Sequence, residues 1–94
     1  MRLKVTRLAQ TDVDQAHDFI ARDNRPAAIR WVGRTREQFK FRAMNPGAGE
    51  SRDELRPGLR SYSHGSYVVY FIPHDDVLEV IRVIHGRRDT RMLF

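Results

Sequence analysis

The chain has 94 residues, 40% hydrophobic and 31% charged, with a net charge of +5 and a pI near 10.4. That length fits one modest core, and residues 1–94 are expected to form a single domain. The apolar fraction excludes a disordered chain, the longest apolar run (Tyr67 to Ile72) is too short for a membrane span, and the absence of cysteine excludes disulfides, thiolate metal sites and a thiol nucleophile.

The first ten residues carry no apolar stretch of the kind a secretory signal needs, so a cytoplasmic protein is expected. Of the 17 basic residues only Lys4 and Lys40 are lysines. The rest are arginine, whose planar fork suits carboxylates and phosphates. Charge alone leaves two partner classes open, an acidic protein and a nucleic acid.

Residues 2–8 alternate polar and apolar, which predicts a strand with one buried face. Thr11 is the expected N-cap of a first helix, with Asp12 and Asp14 in the first turn, where the helix dipole favours anions. Val13, Ala16 and Ile20, with Phe19 beside them, give this helix its inward face, and it runs to about Arg22. Asp23-Asn24-Arg25 breaks it, and Pro26 suits the first position of a second helix that extends to about Met44. Ile29, Val32, Phe39 and Ala43 are its expected core stripe, and Asn45-Pro46-Gly47-Ala48-Gly49 ends it. Two helices joined by so short a loop form an antiparallel hairpin.

The period then changes. Leu55 to Tyr62 reads as a strand, with a bulge or bend expected at Pro57-Gly58. Tyr67 to Ile72 is a β-branched and aromatic run suited to a central strand, Pro73 to Asp76 is a turn, and Val77 to Ile84 is another strand. Short turns at 63–66 and 73–76 make these three strands an antiparallel meander. The sum is an α+β sandwich: an N-terminal strand, an antiparallel helical hairpin, then a three-stranded antiparallel meander.

Several side chains stand out. Arg82 interrupts the face Leu78-Val80-Arg82-Ile84. It either sits in an ion pair, with Asp89 or Glu79, or shares a concave anion-binding face with Arg60. His85 ends the same strand, as a hydrogen-bonded structural residue or as a general acid. Arg87 and Arg88 form either a solvated strand end or a docking point for an acidic partner segment. Helix two carries a second stripe, Trp31, Arg34, Gln38 and Phe41, which is either a broad buried face or an exposed aromatic–arginine patch for a protein partner or a second copy. His17, His64 and His74 read as surface residues. No histidines and carboxylates have metal-ligand spacing and no cofactor motif is present, so neither a metal nor a cofactor is expected.

Three blocks carry a family resemblance: Leu55-Arg56-Pro57-Gly58-Leu59-Arg60-Ser61-Tyr62, Gly65-Ser66-Tyr67-Val68-Val69-Tyr70-Phe71 and Ile81-Arg82-Val83-Ile84-His85-Gly86-Arg87-Arg88-Asp89. Their order and spacing resemble the "LxPGLRS", "GxYxIxY" and "RVxHGxRD" blocks of ParE toxins, within the RelE/ParE superfamily of toxin–antitoxin systems. The N-terminal half matches in layout only. The resemblance implies a RelE-like α+β sandwich, neutralisation by a ParD-like antitoxin whose C-terminal segment wraps the toxin, and poisoning of DNA gyrase with arrest of replication. It also turns the Trp31, Arg34 and Phe41 patch, and the Arg87-Arg88 end, into candidate antitoxin or target contacts.

The sister RelE branch cuts mRNA on the ribosome, and that chemistry needs groups that activate the ribose 2′-hydroxyl, stabilise the phosphate and protonate the leaving oxygen. Arg60 and Arg82 occupy strand positions like those of RelE arginines. Arg52 lies near the RelE lysines, yet Glu50 to Glu54 is mostly acidic, and no aromatic residue follows His85 until Phe94. The nuclease set is incomplete, so a non-enzymatic toxin is expected, with direct nucleic-acid binding and a small-molecule substrate not expected. An mRNA endonuclease, or a degenerate toxin that only binds its antitoxin, is the alternative.

Overall fold

In the computed structural model, which describes residues 1–94, the chain runs β1 (Arg2–Val5), α1 (Arg7–Ala21), α2 (Arg25–Met44), β2 (Glu50–Ser51), β3 (Arg60–His64), β4 (Tyr67–His74) and β5 (Val77–His85). The sheet order is β1-β5-β4-β3-β2. β1 pairs with β5 in parallel, while β2, β3, β4 and β5 are antiparallel to their neighbours in turn. The expected sandwich of one sheet and one helical hairpin therefore forms. The two-residue β2 at the far edge was not anticipated.

The first strand is shorter than expected, and α1 begins earlier. Thr6, not Thr11, caps the helix: its side chain accepts from Ala9 N–H at 3.1 Å. Asp12 consequently sits mid-helix and buried, not in the first turn. α2 begins with Asn24 as N-cap, accepting from Ala27 N–H at 3.0 Å, with Pro26 in the first turn, where its missing N–H costs nothing.

The buried face of α2 is Ala28, Thr35, Phe39 and Ala43. Ile29 lies one residue out of phase and is 68% exposed, so it does not belong to the core stripe. The bulky residue loses its place because small Ala28 occupies the inward position. Thr35 can be buried because its hydroxyl donates to Trp31 O at 2.7 Å.

The meander turns are tight. Gly65-Ser66 and Asp75-Asp76 each join two strands, with positive φ at Gly65 and Asp75, as such hairpins demand. Pro73 lies within β4 opposite Leu78 and not in the turn. The irregularity assigned to Pro57-Gly58 also falls elsewhere. Phe71 faces Val80 while Tyr70 faces Arg82, which leaves Ile81 as the extra residue of a bulge in β5. Pro57-Gly58 is instead part of the loop before β3, where Gly58 N–H donates to Asp53 Oδ1 at 2.8 Å.

The main core lies between the hairpin and the sheet, with Val13, Phe39, Val69, Phe71, Leu78 and Val80 at its centre. The opposite sheet face is also covered. Leu59, Tyr70 and Ile84 are buried there under Leu55, Leu93 and Phe94, and the Phe94 ring lies 4.9 Å from Tyr70. No helix is long and apolar enough to cross a membrane.

Candidate functional site

β1 stops opposite Val80, so β5 has no strand partner on that side from Ile81 onward. An unpaired edge is a template for strand addition. Here α1 closes it with side chains. Thr6 Oγ1 donates to Ile81 O at 3.0 Å, and Asp12 Oδ2 accepts from Val83 N–H at 2.9 Å. The same carboxylate grips Arg82, with Nε 2.7 Å from Oδ2 and Nη2 3.0 Å from Oδ1. The two side chains are 8% and 12% exposed. Removing such charges from water is costly, and a bidentate fork plus a backbone donor is the arrangement that offsets it. Donating these hydrogen bonds to Asp12 raises the Arg82 pKa further. Beyond this point the strand end closes on itself: Arg88 N–H donates to His85 O at 2.9 Å and Arg87 N–H to His85 Nδ1 at 3.2 Å.

Alongside the capped edge runs an open, largely apolar groove. One cavity of about 360 Å³ is lined by Ala16, Phe19, Tyr67, Val83, His85 and Arg88, among others. A second, of about 310 Å³, shares Phe19, Tyr67 and His85 and continues to Ile20 and Trp31. The floor is an aromatic chain. His85 meets Tyr67 edge-on at 5.3 Å, Tyr67 meets Trp31 at 5.1 Å, and Trp31 meets His64 at 5.8 Å. Burial raises the Tyr67 phenol and lowers the His64 imidazole from their ordinary values. Phe19 stands over the groove 61% exposed.

The structure brings some singled-out residues together and separates others. His85, Trp31 and Arg88 line this groove. Arg34 is exposed, and its charge reaches His64. Phe41 lies further along α2, half exposed, under the Arg42 guanidinium at 5.4 Å. The Trp31–Arg34–Phe41 stripe therefore splits, with Trp31 packed inward and Phe41 outward. Arg87 is exposed.

Arg60 and Arg82 form no common anion-binding face. Arg82 is taken by Asp12 of α1, and not by Asp89 or Glu79, while Arg60 Nη2 donates to Gly47 O at 2.9 Å and Gly49 O at 2.7 Å beyond α2. Asp89 pairs with Arg91 instead, at 2.7 Å.

Sequence reasoning missed Asp12, Phe19 and Tyr67 as site residues. For Asp12 there was a signal. It falls on one helix face with Ala9, Val13 and Ala16, at spacings of three and four, so an acid is carried into an apolar stripe. Such an acid needs a cation, and Arg82 was the arginine inside a strand.

A mixed five-stranded sheet carrying one helical hairpin, with a groove between the first helix and the last strand, places the chain in the RelE-like α+β sandwich class. The model of the family described as ParE toxin of type II toxin–antitoxin system, parDE, matches residues 3–90, and the chain belongs to that family. Toxin ParE1 from two strains of Mycobacterium tuberculosis is 40% identical over 49 residues, 51% of this chain. That match spans about half the length, 50%, of those relatives. A solved chain from the chromosomal ParDE toxin–antitoxin system of P. aeruginosa is similar over 90% of this chain and 95% of its own, with a TM-score of 0.75 and 26% identity.

Proposed function

We propose that this ParE-family toxin acts by protein binding, that a ParD-like antitoxin neutralises it through the Phe19–Tyr67–His85 groove, and that the freed toxin inhibits DNA gyrase. The observation that carries the docking part is the groove itself. It is apolar, has an aromatic floor and is lined at one end by exposed Arg88, while the charge of exposed Arg34 reaches His64 beside Trp31. Thr6 and Asp12 already occupy the neighbouring strand edge, which disfavours strand addition. The occupant that fits is an amphipathic helix with apolar anchors and acidic flanks. The single domain expected for residues 1–94 is the unit that binds.

Gyrase as target rests on membership of the ParE family. The commitment of Arg82 to Asp12 supports a non-enzymatic reading over an mRNA endonuclease, because that guanidinium has little exposed surface to offer a phosphate. Purified toxin in a supercoiling assay should inhibit gyrase, and the antitoxin encoded beside it should reverse the inhibition. Normal supercoiling with no trapped cleavage complexes, alongside message cleavage in a translation extract, would overturn the gyrase reading in favour of the nuclease.

A further inference from the structure

Helix α2 carries six basic residues, Arg25, Arg30, Arg34, Arg36, Lys40 and Arg42, against a single acid, Glu37. Six positive charges less one negative leave +5, which equals the net charge of the entire chain. No ion pair of the protein involves this helix. Arg42 is half-buried against the Tyr62 ring, and Arg36 makes one long contact, 3.4 Å, to Gln10 Oε1. Arg25, Arg30, Arg34 and Lys40 stand exposed.

The buried stripe Ala28, Thr35, Phe39 and Ala43 fixes how the remaining side chains face outward. At about 100° per residue, Arg36 and Lys40 fall on the flank toward α1, where Arg36 meets Gln10. Arg30 and Arg34 fall on the opposite flank, and Gly33, Glu37 and Met44 form the ridge between. Gly33 supplies a second observation. It is exposed in mid-helix, and nothing lies within 4 Å of where a Cβ would stand. Glycine is among the least favourable residues inside a helix, and no neighbour in the chain requires it here. On the ridge, its missing side chain lets another molecule approach the backbone closely.

We propose that the outer face of α2 docks on duplex DNA, its ridge entering the major groove and its basic flanks meeting the phosphates of the two walls. A helix with its side chains is about 10–12 Å across, and the groove is about 12 Å wide. Glu37, on the ridge, points away from the walls and toward base edges, where a carboxylate accepts from the cytosine amine. Other polyanions fit this face less well. A single strand needs aromatic stacking platforms, and Phe41 is the one exposed aromatic residue of α2. The deep, narrow major groove of duplex RNA does not admit a helix. An acidic protein needs clustered apolar anchors, whereas Ile29 lies at one end of the face and Phe41 and Met44 at the other, with charge between them. Exposed Asp14 and Asp18 of α1 repel a phosphate wall on the Arg36 side, so Arg30 and Arg34 carry most of the contact. The groups that RelE chemistry requires are needed to cut a nucleic acid, not to hold one. None of the flank or ridge residues lines the groove, so this surface is separate from the one proposed for the antitoxin.

Fluorescence anisotropy of a labelled mixed-sequence duplex of about 20 base pairs, titrated with the full chain between about 50 and 200 mM salt, tests this. With about four phosphates neutralised, affinity should fall roughly a hundredfold across that range. Arg30→Gln with Arg34→Gln should weaken binding at least tenfold and flatten the salt slope by about half. Arg56→Gln with Arg91→Gln, which removes the same charge from exposed positions elsewhere, should leave the slope unchanged. Gly33→Leu, which keeps the charge and suits a helix, should weaken binding at least tenfold with no fall in Tm. No binding at the low-salt end, an α2 double variant with the slope of the Arg56 and Arg91 control, or unchanged affinity in Gly33→Leu would overturn the proposal. Poly-L-glutamate or single-stranded polyuridylate bound as tightly as the duplex would also overturn it, in favour of an acidic protein or a single strand.

Discussion

Replacing Asp12 by alanine removes one side chain and orphans two partners. Arg82 loses both ends of its fork, at 2.7 and 3.0 Å, while only 12% of its side chain is exposed, and Val83 N–H loses its acceptor at 2.9 Å. An uncompensated buried charge costs about 3–5 kcal/mol, and a buried unmatched N–H about 1–3 kcal/mol. The two overlap, because the small alanine admits water, so a net loss of about 4 kcal/mol is expected. Against a total stability of roughly 5–15 kcal/mol this lowers Tm by about 20 °C. Urea unfolding with an unchanged m-value measures it. The decisive comparison is Asp12→Ala with Arg82→Met. The double variant no longer buries a lone cation and should recover more than half of the loss, leaving mainly the Val83 term. A single variant within about 1 kcal/mol of the parent, or a double variant no better than the single, would refute the reasoning.

Three further outcomes follow from the geometry. Phe19→Glu, at a 61% exposed position in the groove, should leave stability within about 0.5 kcal/mol yet weaken antitoxin binding at least tenfold in a titration; unchanged affinity would remove the groove from the interface. Gly49→Ala should cost about 2 kcal/mol or more in urea unfolding, because φ is +116° and the new Cβ would stand 3.0 Å from Ser61 O and 3.1 Å from Phe71 Cζ. His64 has a folded pKa below its ordinary 6.5, chiefly through burial, opposed by the Trp31 backbone and aided by Arg34. Its neutral form is thus favoured on folding. This contribution is complete above pH 6.5 and is lost as pH falls through the lowered folded value, and the pH dependence of unfolding should flatten there in His64→Gln.

Local chemistry made much of this fold legible. The β-branched and aromatic run of β4 and the breakers after α2 stand where expected, while the meander turns, expected at 63–66 and 73–76, tighten to Gly65-Ser66 and Asp75-Asp76 because the strands extend further. Misreadings arose where a distant partner decides the outcome. Thr6 caps α1 because its hydroxyl also reaches Ile81, 75 positions away, and Thr11 has no such anchor. Ile29 looked like core until the inward phase of α2 was set by Ala28, Phe39 and Ala43. The groove was half visible, since His85, Trp31 and Arg88 were singled out while Phe19 and Tyr67 were read as ordinary packing residues. Arg82 was rightly seen as anomalous, but its partner lies 70 residues away, beyond any local pattern.

The parallel pairing of β1 with β5 bears on how the toxin is made. Arg2 meets Val77 and Val5 meets Val80, so the first strand has no ladder until the last one has been synthesised. The inward stripe of α1 waits likewise for Leu78, Val80 and Val83. Chains are built N-terminus first at about 5–20 residues per second, so the hairpin spends seconds with its apolar face uncovered. Closing so long a loop is also entropically slow. The groove between α1 and β5 cannot exist on a half-made chain. A partner that docks in this groove, as proposed for the antitoxin, therefore has nothing to bind until the final strand is in place.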